Sequence, residues 1–193
     1  MKRSVEYTVE VMFMIRKSLG SLALAGMLLA AIVPATFAKS VVVPPSRSTD
    51  SIVEIASNAG FTTLLAAVGC ADPAVAAALT SGDQYTVFAP SNQAFSDLGL
   101  NAGNICGAFS QSNLTKILLY HVEEGRHFSN SVLPKRDGQV KTIDTLLGQT
   151  FKVNSTGAIK TASGATDPQI VAANISATNG VIHVVNAVLV PNL

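Results

Sequence analysis

Between residues 49 and 79, apolar side chains recur with the spacing of short helices. The stretch "TDSIVEIASNAGF" begins with an Asp/Ser start signal and stops at Gly60, which predicts a first helix. "FTTLLAAVGCA" predicts a second helix, and "DPAVAAAL" a third, with Asp72 as its N-cap and Pro73 as its first residue. Because these helices are rich in alanine and carry few charges, we expect them to pack closely against another layer.

The following segment passes from a strand into further helices. "QYTVFA" (84–89) predicts a strand, and "NQAFSDL" (92–98) predicts a short helix that Gly99 ends. Residues 112–122 carry one apolar helical stripe, which predicts an amphipathic helix. The members of that stripe, at positions i, i+3, i+4 and i+7, are Leu114, Ile117, Leu118 and His121.

Beyond about Lys141 the pattern changes to short β-prone runs. "TLLGQTFKVNSTGAIKT" places two runs around an Asn/Ser/Thr/Gly turn. In "PQIVAANISATNGVIHVVNAVLVP" two Val/Ile-rich runs flank Asn179-Gly180, a dipeptide typical of tight hairpins. Helices followed by hairpins predict a single α+β domain whose sheet is largely antiparallel.

The N-terminal segment has the layout of a secretory signal peptide. Arg16 and Lys17 precede an apolar run, 19–33, and the run is followed by the small-residue pattern Thr36-Phe37-Ala38. This order predicts a signal peptide over residues 1–38, with cleavage after Ala38. The alternative is an uncleaved anchor, but the run is shorter than the roughly 20 residues that span a bilayer.

Residues 1–13 contain acidic side chains, which signal peptides avoid, and this gives the hypothesis that translation starts at Met14. Residues 39–48, with a Pro pair, predict a flexible leader, and residues 49–193 predict the single folded domain. We therefore expect a secreted protein, extracellular or periplasmic, without a stable membrane anchor in the mature chain.

Composition and charge narrow the possible partners. The chain has 193 residues, of which 48% are hydrophobic and 13% are charged. Without the four basic and two acidic residues of segment 1–38, nine basic and ten acidic residues remain, for a net charge near −1. Binding to a phosphate backbone needs a basic surface, so nucleic acid is excluded as an expected partner.

The two cysteines, Cys70 and Cys106, fit no metal-ligand spacing. In an exported chain a cysteine pair favours one disulfide. Two buried free thiols are the alternative.

Ser91 lies at the junction of the predicted strand and helix, where some hydrolases place a nucleophile. The stretch Ala-Pro-Ser-Asn-Gln lacks the glycines of a nucleophile elbow. Ser91 or Asn92 can instead cap the helix through a side-chain oxygen. A triad of Ser91, His121 and Asp97 can be drawn, but no spacing supports it. We therefore expect a structural role for Ser91 and no enzyme activity.

The histidines also favour structural roles. His121 lies on an apolar helical stripe, and His183 alternates with Val181 and Val185 on one strand face, so both are expected to be buried or partly buried core residues. His127 is expected in an exposed loop. No metal-ligand cluster or phosphate-binding glycine loop occurs in the sequence, so we expect neither a metal nor a cofactor.

Two further surface features are weaker signals. Four basic residues in the segment 126–141 are offset by acidic neighbours, which is typical of a solvated loop rather than a polyanion site. Acceptors for N-glycosylation occur at Asn113, Asn154 and Asn174. Asn113 and Asn174 lie in predicted elements, which disfavours their modification.

Three separated stretches together resemble the fasciclin domain family. "YTVFAPSNQAF" (85–95) resembles its first motif, "ILLYHV" (117–122) its Tyr-His motif, and "NGVIHVVNAVLVP" (179–191) its second motif. The resemblance spans residues 49–193. The residues at the motif positions are Thr86, Phe88, Ala89, Pro90, Ser91, Asn92, Phe95, Tyr120, His121, Asn179, Gly180, His183 and Asn186.

The resemblance implies a wedge with a β-sandwich-like, mostly antiparallel sheet core and an N-terminal α-helical layer. It implies a non-enzymatic adhesion or extracellular interaction module, here a soluble or loosely surface-associated monomer. The partner would be a cell-surface or matrix protein or glycan. Tyr120 and His121 would form an interaction motif, since that pair is implicated in receptor binding in some animal members. Asn186 departs from the family's usual Asp, which puts the polar contact of that acid in doubt.

A second interpretation belongs to a different class of protein. An apolar cleft between the helices and the sheet would make the domain an extracytoplasmic carrier of a small apolar or lipid ligand. A hydrolase centred on Ser91 is the third and weakest hypothesis.

Overall fold

The computed structural model describes residues 49–193, so the predicted signal peptide (1–38) and leader (39–48) lie outside the described residues. No helix within this range has the length and apolar content needed to cross a bilayer. The elements, in chain order, are helices α1 (Ile52–Asn58), α2 (Thr62–Cys70) and α3 (Pro73–Thr80), strand β1 (Tyr85–Pro90), helices α4 (Asn92–Ser96), α5 (Ile105–Ala108) and α6 (Gln111–Tyr120), strand β2 (Val122–Glu124), helix α7 (Ser129–Val132), and strands β3 (Val140–Asp144), β4 (Thr150–Asn154), β5 (Ile159–Lys160), β6 (Ile170–Ala177) and β7 (Gly180–Val185).

Several of these helices have an N-cap residue whose short side chain accepts a hydrogen bond from an otherwise unpaired backbone N–H group of the first turn. Ser51 and Glu54 form a reciprocal capping box at the start of α1. Asp72 caps α3, with Pro73 in the first turn as predicted, and Ser110 caps α6. These caps explain why such short helices begin at fixed residues.

Within residues 49–193 the strands form two sheets. One has four strands in the order β2-β1-β7-β6, and the other has three in the order β3-β4-β5. Among these described strands every pairing is antiparallel except that of β1 with β7, which is parallel and joins strands far apart in sequence. The predicted α+β class and largely antiparallel sheets are confirmed.

The two faces of the four-stranded sheet bury different cores. Val87 and Ala89 of β1 and Ile182 of β7 pack with the helices. Phe88 and Val185, which point to the opposite face, pack with residues of the three-stranded sheet. The result is a helical layer, a central four-stranded sheet and a second sheet stacked on it, which agrees with the predicted β-sandwich-like core and helical layer.

The hairpin between β6 and β7 forms, but its turn differs from the predicted one. Ala177 pairs with Gly180, so the loop residues are Thr178 and Asn179, and Gly180 is already the first residue of β7. Neither loop residue has a positive φ, which the expected Asn-Gly turn would require. A Cβ at Gly180 would lie 2.0 Å from the backbone oxygen of Tyr85. Glycine is therefore needed here for the close approach of β1, and the turn itself does not demand it.

The predicted disulfide is present. Cys70 ends α2 and Cys106 lies in α5, and their Cα atoms are 5.5 Å apart. The bridge joins two helices of the helical layer across 36 positions of sequence. A bond of this kind persists in an oxidising compartment.

Candidate functional site

Ser91 is the N-cap of α4. Its hydroxyl accepts a hydrogen bond from the backbone N–H of Ala94 at 3.2 Å. Its own N–H donates to the carbonyl oxygen of Val185 at 3.1 Å, which continues the pairing of β1 with β7. The side chain of Ser91 thus has the local capping role that the sequence predicts.

Asn92 fastens α4 to the loop between α1 and α2. Its amide oxygen accepts from the backbone N–H of Thr63 at 3.2 Å, and its amide nitrogen donates to the carbonyl oxygen of Gly60 at 2.8 Å. Phe95, one turn later, is buried in the helical core. The first motif therefore links the sheet to the helical layer.

His121 is buried at the C-cap of α6, and both its ring nitrogens are bonded. Nδ1–H donates to the carbonyl oxygen of Ile117 at 2.7 Å, and Nε2 accepts from the backbone N–H of Leu189 at 3.0 Å. Burial lowers the pKa of His121 to about 4, and the bond to Ile117 opposes this only partly. The neutral tautomer is fixed by these two bonds.

The Ser91–His121–Asp97 arrangement is therefore not a triad. The base would need a free ring nitrogen facing Ser91, and His121 has both nitrogens engaged elsewhere. Asp97 accepts a hydrogen bond from the side chain of Gln93 at 2.7 Å. Each of the three side chains makes its own separate local hydrogen bonds.

Tyr120, the other member of the Tyr-His pair, lies in the core between the two sheets. Its hydroxyl donates to the carbonyl oxygen of Thr150 at 3.0 Å and accepts from the backbone N–H of Ala162 at 2.9 Å. Burial raises its pKa. An interaction role for Tyr120 and His121 stays a prediction, and because both side chains are buried, it would have to act through the neighbouring surface.

His183 is fully buried in β7, deeper than the partly buried position that the sequence suggests. Nε2–H donates to the carbonyl oxygen of His127 at 3.0 Å, and Nδ1 accepts from the backbone N–H of Asn174 at 3.4 Å. Its ring lies 5.5 Å from that of Phe88, and burial lowers its pKa. His183 thus bonds the loop at His127 and the edge strand β6 to strand β7.

The remaining polar motif residues also bond within the fold. Thr86 donates to the carbonyl oxygen of Gly125 and accepts from the N–H of His127. Asn179 joins α1 to α3, since its oxygen accepts from the N–H of Ile52 and its nitrogen donates to the carbonyl of Leu79. These contacts explain why polar side chains occupy buried motif positions.

Asn186 makes a polar contact in spite of its departure from the usual acid. Its amide oxygen accepts from the backbone N–H of Gln169 at 2.7 Å, and its own N–H donates to the carbonyl of Gln169 at 3.1 Å. An amide oxygen accepts such a bond as a carboxylate would.

His127 and Glu123 form a partly buried pair on the surface beside β2. His127 Nε2 lies 3.8 Å from Glu123 Oε1 and donates to the carbonyl oxygen of Glu124 at 3.0 Å. Burial raises the pKa of Glu123, while the charges of His127 and Lys141 act in the opposite direction. The side chain of His127 is 37% exposed, so this loop residue is half-buried rather than fully exposed. Across residues 49–193 no group of three His, Cys, Asp or Glu side chains could hold a metal ion.

A surface that the sequence did not reveal runs along the edge strand β6. Asn174 has a left-handed backbone, with φ of 66°, and its side chain bonds twice to Ser129. Arg126 donates to the hydroxyl of Ser176 and lies over the ring of Phe128, 5.6 Å from its centroid. These contacts tie the segment 126–129 to β6, and we call the two together the β6 face. The engaged amide of Asn174 disfavours glycosylation there.

Two apolar cavities within residues 49–193 bear on the carrier hypothesis. The one between the helices and the sheet, lined by residues such as Val87 and Val122, holds only about 40 Å³. A cavity of about 220 Å³ lies elsewhere, between the helices and the segment after β7, which includes Val188. The larger apolar space is therefore not where the sequence-based hypothesis placed it.

Comparison with known proteins agrees with this architecture. The sequence matches the fasciclin domain over residues 59–191. It is 39% identical to protein sll1483 of Synechocystis, over 81% of this chain and 83% of that protein. It is 36% identical to the immunogenic protein MPB70 of Mycobacterium bovis, over 72% of this chain and 67% of the relative.

More distant similarities extend to animal proteins. The transforming growth factor-beta-induced protein ig-h3 of Sus scrofa is 35% identical over 55% of this chain, which spans 14% of that protein. The structure of a FAS1 domain pair from the insect cell adhesion molecule fasciclin I superposes with a TM-score of 0.51 and 18% identity. The match covers 69% of this chain and 46% of the domain pair, and it shows the shared fold. On the sequence match and the shared fold together, the chain belongs to the fasciclin domain family.

Proposed function

We propose that this protein is a non-enzymatic extracellular interaction module that binds a cell-surface or matrix protein. One observation carries this proposal: the polar motif residues that could have formed a catalytic site, above all Ser91, His121 and His183, bond within the fold. They therefore build a scaffold. The insect relative, fasciclin I, is a cell adhesion molecule, which supports the same class of function.

The β6 face is the surface that best suits such a contact. Phe128 is 38% exposed and Val171 is 58% exposed, although both are large apolar side chains. β6 is an edge strand without any charged residue, so it lacks the charges that keep many edge strands from pairing with an extended segment of another protein. This backbone chemistry favours a protein partner over a glycan.

The disulfide supports extracellular or periplasmic placement, because a structural bridge of this kind belongs to an oxidising environment. We also propose that the domain acts as a monomer, which sedimentation of the purified chain would test.

The test is binding of the labelled mature protein to intact cells and to deposited matrix. We expect the double change Phe128→Ser and Val171→Ser to reduce binding at least tenfold. The matched control is Val140→Ser, since Val140 is 57% exposed on the edge of the other sheet. Binding that survives the double change, or that is lost when glycans but not proteins are removed from the target surface, would refute the proposal.

A further inference from the structure

The cavity of about 220 Å³ lies among helices and one C-terminal segment, away from the β6 face. Its walls come from α2, α4, α5 and α6 and from the chain that follows β7. Apart from His121, the lining residues are apolar. The principal lining residues are Ala67, Phe95, Ile105, Leu114, Ile117 and Val188.

The chemistry of this lining restricts what can occupy the cavity. Among residues 49–193, His121 is the one polar residue on its wall, and both its ring nitrogens are already bonded to Ile117 and Leu189. A water molecule in the cavity would therefore lack the two to four polar partners that it needs. A charged or strongly hydrogen-bonding ligand would lose its hydration without compensation.

The size of the cavity defines the occupant further. An apolar cavity of about 150 Å³ stays dry and binds benzene or xenon. A cavity of about 220 Å³ has room for one aromatic ring with a short alkyl substituent. Filling it restores dispersion contacts that the lining side chains otherwise lack.

The covering segment shows how a ligand could enter. Gln149 holds Asn192 through both backbone groups: its amide nitrogen donates to the carbonyl at 2.8 Å, and its amide oxygen accepts from the N–H at 3.0 Å. Next to this clamp, Leu193 lines the cavity and is 59% exposed. Leu98 also lines the cavity and is 45% exposed. Release of two exposed hydrogen bonds would open this side of the cavity without disturbing the sheets.

The geometry points to a binding site for a small, uncharged hydrocarbon, such as an alkylated aromatic ring, in this cavity. The site is independent of the proposed protein-binding function, since it shares no residue with the β6 face. One chain can therefore have both properties or only one of them.

Toluene is the probe, and the full mature chain is the protein. We expect toluene to raise the melting temperature by a few degrees and to shift the NMR signals of the Leu114, Ile117 and Val188 amides. Benzylammonium, of similar shape but charged, should do neither.

Val190→Phe places a ring into the mouth of the cavity from a half-buried position and should abolish the effect of toluene. Val171→Phe, on the β6 face, is the matched control and should retain it. Gln149→Ala should leave toluene affinity largely unchanged and speed its exchange.

Absence of toluene-dependent NMR shifts in the unmodified protein would overturn the site, whether or not Val190→Phe folds. Equal binding of benzylammonium, or binding of a long-chain fatty acid without binding of toluene, would also contradict the assignment.

Discussion

At the scale of single residues, the motif histidines serve as neutral hydrogen-bonding groups. His121 donates through one nitrogen and accepts through the other, and His183 does the same. A protonated ring would place an N–H against the N–H of Leu189 or Asn174. Protonation would thus replace a hydrogen bond by a repulsive contact, in addition to the cost of burying charge.

This arrangement predicts loss of stability in acid. The pKa of His121 falls to about 4 in the folded protein, below its ordinary 6.5, so the unfolded chain binds the proton more readily. The stabilisation is complete above pH 6.5 and disappears as the pH falls from 6.5 through 4. The loss from this residue should reach about 3 kcal/mol near pH 4. Urea unfolding at a series of pH values measures it.

NMR titration of the His121 ring provides the direct check on this prediction. The ring signals should stay constant from pH 8 to about pH 5, whereas those of an unfolded reference should titrate near 6.5. A His121 midpoint at or above 6.5 would show that the two hydrogen bonds do not hold the ring neutral.

A second prediction at the residue scale concerns Gly180. Gly180→Ala would put a methyl group 2.0 Å from the Tyr85 carbonyl oxygen, so β1 and β7 would have to separate. We expect a loss of about 3 kcal/mol or more in the free energy of unfolding. Gly107→Ala is the control, because a Cβ at Gly107 meets nothing within 4 Å. The control should change stability by at most about 1 kcal/mol in either direction, and similar effects for the two variants would contradict the explanation.

The residue scale also shows what sequence patterns can and cannot predict. The cap at Ser91 and the buried state of His121 follow from neighbours within one or two turns, and both were predictable. The sequence pattern assigns Gly180 to a turn, whereas its constraint comes from Tyr85, 95 positions away. Likewise, nothing local marks Gln149 as the residue that holds Asn192.

At the scale of elements, the helices are too short to be stable alone, and they depend on caps, packing and the disulfide. Three helices were predictable from start signals such as Ser51 and Asp72. The sequence pattern does not predict the four-residue helices α5 and α7, since four residues carry no periodic pattern.

The cap of α4 can be tested directly. Ser91→Ala removes the acceptor for the Ala94 N–H and should cost about 1 kcal/mol of stability. Ser96→Ala, at the exposed end of the same helix, is the matched control and should be nearly neutral. A Ser91→Ala protein that unfolds like the unmodified chain but loses a measurable hydrolysis would restore the catalytic interpretation.

The bridge between α2 and α5 gives a prediction for the helical layer. Closing a loop of about 36 residues is expected to stabilise by about 4 kcal/mol, chiefly by restricting the unfolded chain. Reduction should therefore lower the urea midpoint of the native protein strongly. The double variant Cys70→Ser and Cys106→Ser should have the lower urea midpoint already without reductant, and reductant should not change that midpoint. A change of its midpoint on adding reductant would mean that the effect does not come from this bridge.

At the scale of the whole molecule, the first and second motifs meet through the parallel pairing of β1 with β7. This pair forms the centre of the four-stranded sheet, and it carries the helical core on one face and the inter-sheet core on the other. Sequence patterns predicted both strands. They could not predict their pairing, because a parallel contact between distant segments leaves no local signal comparable to a hairpin turn.

This architecture separates the β6 face from the apolar cavity, since the two are built by different layers and share no side chain. We therefore expect Phe128→Ser with Val171→Ser to reduce surface binding at least tenfold and to leave the toluene-induced rise in melting temperature unchanged. Val190→Phe should do the reverse. Cell binding and thermal unfolding, measured on both variants in parallel, test whether each variant loses one property and keeps the other. A loss of both properties in either variant would mean that the cavity and the face are coupled through the central sheet, whose β7 strand pairs with β6 and precedes the segment covering the cavity.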